Sequence, residues 1–302
     1  MIRITLQMFL GIIFLVISFS QYSCNDEIVT PPVDPNNNEI TVYDEEPCWS
    51  PDGNSIAYLG GNSADGFKII AVDTNSLNKR ILIQSPGFSL QWSPDGQWIL
   101  YEWGGIIYKK RISDESLPIQ LTFLGGCFNP SWSRDGEWIA FDTNNESPDG
   151  SNFVWKMRSD GTSKKRIIFS PSLGEVRAPS WFPDGIRLAV SRYNPSHGFD
   201  SEIAIIDTSG NSIAMLTNDS EDDYDPEVSP DGQYILWWKY ANGRMIFTMK
   251  SDGTLQTQIA THATRPDWSP NSKMITYTNT NYNDGRIWIM NKDGSSRKKI
   301  SY

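Results

Sequence analysis

Histidine is almost missing from this chain: there are two in 302 residues, His197 and His262. Zinc centres and nucleophile–base pairs draw on histidine in company with other donors. Neither a metal-ligand spacing nor a G-x-S-x-G nucleophile elbow occurs. Cysteine is scarce too, at Cys24, Cys48 and Cys127, which excludes a disulfide-built scaffold. Basic residues number 26 against 36 acidic ones, a formal charge of −10. Without residues 1–23, whose only charge is Arg3, the balance is 25 against 36. Such a chain is poorly suited to a phosphate backbone, so nucleic acid is excluded as a partner and the charge reads as solubility. Helical patterning is absent as well. After residue 24 no dozen-residue window spaces its apolar side chains at i, i+3, i+4 and i+7.

Long apolar runs are limited to one, Met8–Phe19 within "MIRITLQMFLGIIFLVISFSQYS". A single Arg, a short apolar stretch and small polar residues follow one another in the order of a secretory signal peptide over residues 1–23. An uncleaved anchor over Ile4–Tyr22 is the alternative. Cys24 then opens "CNDEIVTPPVDPNNN", which resembles the bacterial lipoprotein arrangement of an acylated Cys followed by a polar tether. Gln21 departs from the Leu that family prefers three places earlier. The resemblance implies lipidation of Cys24, a flexible leash over 24–38, and export to the periplasm or outer membrane with a lipid-anchored chain. Plain secretion, with Cys24 incidental, stays open.

The chain is rich in short alternating runs bounded by turn residues, such as "SIAYLG", "WILYEW" and "RIWIMN", each read as a strand. It is also repetitive. "WSPDG" stands at 49–53 and 92–96, with variants "WSRDG" (132–136), "WFPDG" (181–185), "VSPDG" (228–232) and "WSPNS" (268–272). Measured on Asp52, Asp95, Asp135, Asp184, Asp231 and Asn271, the intervals are 43, 40, 49, 47 and 40 residues. That is the period of a four-stranded propeller blade. Ser-Pro-Asp-Gly is a turn: Pro presets φ, Asp bonds its own backbone, and Gly takes the left-handed region. These aspartates are therefore read as turn formers, not catalytic acids. The expected fold is all-β, a six-bladed β-propeller of four-stranded antiparallel blades over residues 39–302, with each repeat Trp packed between neighbouring blades.

The pattern W-S-P-D-G-x-x-I-A-[FY], followed some twenty residues on by [IV]-[YW]-x-M-x-x-D-G, resembles the repeat of the TolB propeller and its relatives, over roughly residues 40–302. The resemblance implies a cell-envelope protein that binds other proteins. TolB carries an α/β domain ahead of its propeller, and some related propellers accompany a serine-peptidase domain. Here only residues 25–39 precede the repeats and the sequence ends at the sixth, so neither domain is expected and TolB's full role is not transferred.

Several further expectations follow from the propeller. The segment "EITVYD" (39–44) is read as a latch that pairs with the last blade. Cys48 and Cys127 fall in non-adjacent repeats and are expected as buried thiols. Length variation concentrates on the face opposite the Asp-Gly turns, in loops 60–66, 144–152, 194–202, 218–225 and 279–285. Variable loops on a rigid scaffold are the usual place for binding.

Residues flanking a recurrent Pro should ring the channel mouth on that face. Ahead of it stand Glu46, Ser89, Asn129, Ala178, Asp225 and Arg265, and behind it Cys48, Gln91, Ser131, Ser180, Glu227 and Asp267. Charge gathers in blades five, six and one. Glu46, Asn129, Asp225, Glu227, Arg265 and Asp267 are the candidate binding residues, gripping a peptide or a loop of an envelope protein. The alternative is that Arg265 merely neutralises its carboxylate neighbours. Asp219, Glu221, Asp222 and Asp223 form a weak candidate for Ca²⁺; no other cofactor is expected. Function is read as non-enzymatic protein binding by a monomer. The alternative is a polysaccharide lyase or hydrolase with carboxylates in the channel.

Overall fold

The computed structural model describes residues 42–302, apart from 63–65, 86, 146, 148–149, 168–173, 194–199, 211–212 and 282–284. The signal segment, Cys24, the leash and His197 lie outside the described residues. Among the described residues, twenty-four strands form six separate four-stranded sheets, each built of consecutive strands paired antiparallel in sequence order. No helix occurs among the described residues. This is the expected six-bladed propeller.

The inner strands are Val42–Trp49, Phe88–Trp92, Cys127–Trp132, Val176–Trp181, Asp222–Val228 and Ala263–Trp268. Every one ends on the repeat Trp or, in blade five, on Val228. The second strands are covered on both faces by neighbouring sheets and so read as unbroken apolar runs. Ile56, Ala57, Tyr58 and Leu59 are all buried, as are Ile235, Leu236 and Trp237. Two of the outer strands, Lys165–Arg166 and Lys298–Lys299, are short and wholly basic, which suits an edge that faces water.

The core lies between blades. Cys48, Ala57 and Ile69 of blade one pack on Leu90, Trp92 and Tyr101 of blade two. Leu100 and Ile107 of blade two pack on Trp132, Phe141 and Met157 of blade three. Cys48 and Cys127 are both buried free thiols, each in its own inter-blade layer, with burial pushing both pKa values up. Two of the repeat indoles bond to the preceding blade, Trp181 Nε1 donating to Ser131 O and Trp268 Nε1 to Glu227 O, both at 3.1 Å.

The Ser-Pro-Asp-Gly phrase is the hairpin between first and second strands. Ser50 Oγ donates to Asp52 Oδ1 at 2.6 Å, Asn54 N donates to the same oxygen at 3.0 Å, and Ser55 N donates to Ser50 Oγ at 2.9 Å. Gly53 takes φ of 73°. The bonds from Ser50 and Asn54 hold the Asp52 carboxyl below its ordinary range. The turn reading of these aspartates is sound.

The latch is corrected. Val42, Tyr43 and Asp44 pair with Asn62, Gly61 and Gly60, so the described part of that segment belongs to blade one's own inner strand. Blade six supplies its own fourth strand, Lys298–Lys299. The ring is closed by packing and polar bonds instead. Trp49, Ile56 and Tyr58 pack on Ile287, Ile289 and Ile300. Arg286 Nη1 meets the buried Asp44 Oδ2 at 3.0 Å, Asp44 N donates to Gly285 O at 3.1 Å, and Trp49 N donates to Asp267 Oδ2 at 2.6 Å. With four strands complete at both ends of the repeat array, no strand among the described residues is left over to exchange.

Candidate functional site

The channel mouth is built by one backbone device used six times. Glu46, Ser89, Asn129, Ala178, Asp225 and Arg265 all take positive φ, between 48° and 58°. At each the inner strand shifts register against the second strand, for example between Glu45 and Cys48 in blade one and between Tyr224 and Glu227 in blade five. A left-handed non-glycine residue costs about 1–3 kcal/mol and persists where surroundings hold it. Here the bulge re-aims one side chain per blade, and the ring of such residues lines the mouth.

The N–H freed by the bulge is caught by the preceding blade in three cases. Ser89 N donates to Glu46 Oε2 at 2.8 Å, Ala178 N to Asp142 Oδ1 at 3.0 Å, and Asp225 N to Ser191 Oγ at 3.0 Å. Side chains continue the ring: Ser89 Oγ donates to Asn129 Oδ1 at 3.1 Å, and Asn129 Nδ2 donates to Asp142 Oδ1 at 2.9 Å. Arg265 spans two blades, with Nε 3.3 Å from Glu46 Oε1 and Nη1 2.9 Å from Asp225 Oδ2. Trp238 Nε1 also donates to Asp225 Oδ2, at 2.9 Å.

A second tier lies one step down the channel. Ser180 Oγ donates to Glu227 Oε2 at 3.0 Å and accepts from Val228 N at 3.0 Å, while Gln91 Oε1 accepts from Trp132 N. Glu227 and Asp267 face each other's charge on the wall. Loss of water, and for Glu227 the nearby Asp267, pushes both carboxyls up. The positive charge of Arg134, on the turn side, pulls Asp267 the other way. The hollow these residues line is about 90 Å³ and opens to solvent.

The six candidates Glu46, Asn129, Asp225, Glu227, Arg265 and Asp267 are thus brought together around one mouth. The four acidic loop residues are not gathered. Asp219 Oδ2 takes Lys239 Nζ at 2.5 Å, and Asp222 Oδ1 accepts Ser201 N at 2.9 Å. Asp223 is buried, accepts Trp237 Nε1 at 2.8 Å, and lies 3.4 Å from the same ammonium. Glu221 donates its N–H to Asp219. Lys239 supplies the positive charge that a cation would have brought. Among the described residues no three His, Cys, Asp or Glu side chains converge as a metal cluster.

Sequence reasoning missed the residues that support the mouth from the second strands: Glu102, Asp142, Ser191 and Trp238. Burial pushes Glu102 and Asp142 each up to about 7. The neighbouring Glu46 and Asp142 add to the rise at Glu102. For three of them a signal was present: Glu102, Asp142 and Ser191 are the polar fifth residues of "WILYE", "WIAFD" and "RLAVS", each directly after three buried apolar residues.

Comparison with known proteins places this geometry among relatives. The family described as the TolB beta propeller domain matches residues 60–302. A "Protein TolB homolog" of Chlorobaculum tepidum is 27% identical over 105 residues, which are 34% of this chain and 24% of that protein. The chain therefore spans about a quarter of the length of that curated relative. The solved TolB of Acinetobacter baumannii superposes with a TM-score of 0.68 at 21% identity, over 86% of this chain and 63% of that one. An oligogalacturonate lyase in complex with manganese superposes with a TM-score of 0.60 at 13% identity, over 86% of this chain and 78% of that one. At such identities the structural likeness concerns the fold.

Proposed function

Because the chain belongs to the TolB beta propeller domain family, we propose that it is a non-enzymatic binding protein of the bacterial cell envelope. Its channel mouth and loop face hold a segment of another protein. The observation that carries the reading is the mouth itself. Arg265 pairs there with Glu46 and Asp225, all three on backbone held in a strained, repeated conformation, and the buried carboxyls of Glu227 and Asp267 line the same mouth. Arg265 bridges Glu46 and Asp225 by bonds that an incoming polar group can replace. The likeness to the oligogalacturonate lyase is at 13% identity and concerns the fold alone, so it lends the carbohydrate-active alternative no support. Export under residues 1–23, lipidation of Cys24 and a leash over 24–38 belong to the same proposal. They would hold the propeller within a short radius of a membrane.

The test is capture. The immobilised chain is exposed to a bacterial envelope extract, beside a Glu46→Gln/Asp225→Asn form. Asn tolerates the left-handed position, so that form keeps the fold while losing the charge. A stoichiometric protein retained by the first and lost with the second supports the proposal. Turnover of oligosaccharides that disappears with Asp267→Asn would instead establish the carbohydrate reading.

A further inference from the structure

Between blades one and two, on the face of the Asp-Gly turns, lies a hollow of about 430 Å³ that opens to solvent. Its walls include Ser55 and Arg80 of blade one and Trp92 and Ile112 of blade two. The repeat says what this hollow lacks. The first residues of the six second strands are Ser55, Trp98, Trp138, Arg187, Tyr234 and Met274. Every blade but the first places a long side chain there. These side chains lean on the following blade: Trp138 packs on the layer between blades three and four, and Met274 on that between six and one. Tyr234 shows the full arrangement. Its ring centroid lies 6.4 Å from that of Trp268 in blade six, and Lys292 Nζ stands 4.8 Å from it. Trp92 and Ile112 hold in blade two the places of Trp268 and Lys292, with Ile112 N donating to Gln97 O as Lys292 N does to Lys273 O. The hollow is therefore the seat of a ring that Ser55 does not supply.

A cation for that ring is already in place. Rings at the same position elsewhere carry one, Lys109 Nζ at 4.9 Å over Trp98 and the Arg158 guanidinium at 4.2 Å over Trp138. In blade one Arg80 pairs with Ala71 and Ala71 with Ala57, whose face packs on blade two. Arg80 is exposed, and among the described residues it has neither a hydrogen bond nor an ion pair. Ala71 also leaves room where blades two and three have Lys109 and Lys156. A guanidinium over an aromatic face is attractive, and most so where the ring is shielded from water.

We propose that this hollow is a second binding site, on the face opposite the mouth, which takes the ring of a Tyr or Trp side chain from a partner polypeptide. The ring lies against Trp92 and Ser55, with the Arg80 guanidinium over it. In the other layers the occupant is likewise a side chain carried on a strand. Because the hollow is open on one side, a free ring would keep part of its surface in water, whereas a ring on a chain brings neighbours that cover it.

Ligand-detected NMR titrations on the purified chain test it with three probes. They are a blocked Gly-Gly-Tyr-Gly-Gly peptide, the same peptide with Leu for Tyr, and p-cresol as a free ring. The Tyr peptide should bind at least fivefold more tightly than the Leu peptide and threefold more tightly than p-cresol. Arg80→Ser should weaken the Tyr peptide about two- to fivefold and leave the Leu peptide unchanged. Ser55→Tyr, which fills the hollow from within as Tyr234 does in blade five, should melt no lower than the parent chain and abolish binding of the Tyr peptide. Equal affinities for the two peptides, or undiminished Tyr binding in Ser55→Tyr, overturn the proposal. A Ser55→Tyr form that melts lower would show that the hollow admits no ring, and overturns it too. Binding of p-cresol as tight as that of the Tyr peptide assigns the hollow to free rings and overturns the polypeptide partner. Loss of Tyr-peptide binding in Glu46→Gln/Asp225→Asn would place the ring at the mouth and overturn the hollow. Failure of the hollow leaves the mouth reading standing, since no mouth residue lines it.

Discussion

Replacing Asp142 by Asn should flatten the dependence of stability on pH. Asp142 is 1% exposed, and burial lifts its carboxyl from an ordinary 3.8 to about 7. Its Oδ1 accepts from Ala178 N and Asn129 Nδ2, while Oδ2 is buried without a partner. Between those two values the folded state keeps a proton that the unfolded state has released. Stability contributed by this group is therefore complete at low pH and is lost as pH rises through the folded value. Each pH unit in that window is worth about 1.4 kcal/mol. From pH 5 to pH 7 the loss amounts to about 3 kcal/mol, levelling off above. Asn keeps an acceptor for both donors and never ionises. It points an amide where no acceptor stands, which costs a constant offset of about 1–3 kcal/mol. The assay is urea unfolding of both forms at half-unit steps from pH 5 to pH 8. The difference in unfolding free energy should shrink by about 3 kcal/mol across the range. Parallel curves would show that Asp142 is ionised throughout, and the account of the mouth's support would be wrong.

Two further outcomes follow from the ring and from the buried ammonium. Asp44→Ala should destabilise the propeller by about 2–4 kcal/mol, because the half-buried Arg286 loses its carboxylate at the closing seam. Thermal melting should fall by several degrees, and an unchanged midpoint would mean the closure rests on the apolar packing alone. Lys239→Met should cost about 3 kcal/mol or more at pH 8, where the buried Asp223 must either stay charged without its ammonium or take up a proton. At pH 5.5 the cost should be smaller, since burial already raises Asp223 to about 7 and the lone carboxyl simply stays protonated. An equal penalty at both values would refute the assignment of Lys239 as the counter-charge.

How much of this was legible in the chain depends on what kind of information each feature uses. Asp52 and its counterparts form their turns from bonds within five residues of one another, so a local phrase was enough to place them. The mouth candidates were found because the repeat fixes a position in every blade, and Glu46, Asp225 and Arg265 share that position. Asp142 was overlooked because its importance comes from a partner on the next blade, Ala178, 36 residues away. The latch failed for a related reason. "EITVYD" has the composition of a strand, and composition cannot say which of two neighbouring edges a strand joins.

The sequence by itself determined the repeat, the four-stranded unit, the number of blades and the face that bears variable loops. All of these are periodic or local, and periodicity survives without coordinates. Tertiary structure alone decided how the ring closes and which carboxyls are deprived of water. Those properties belong to distances between residues far apart in the chain. The bond between Arg286 and Asp44, 242 residues away, is of that kind.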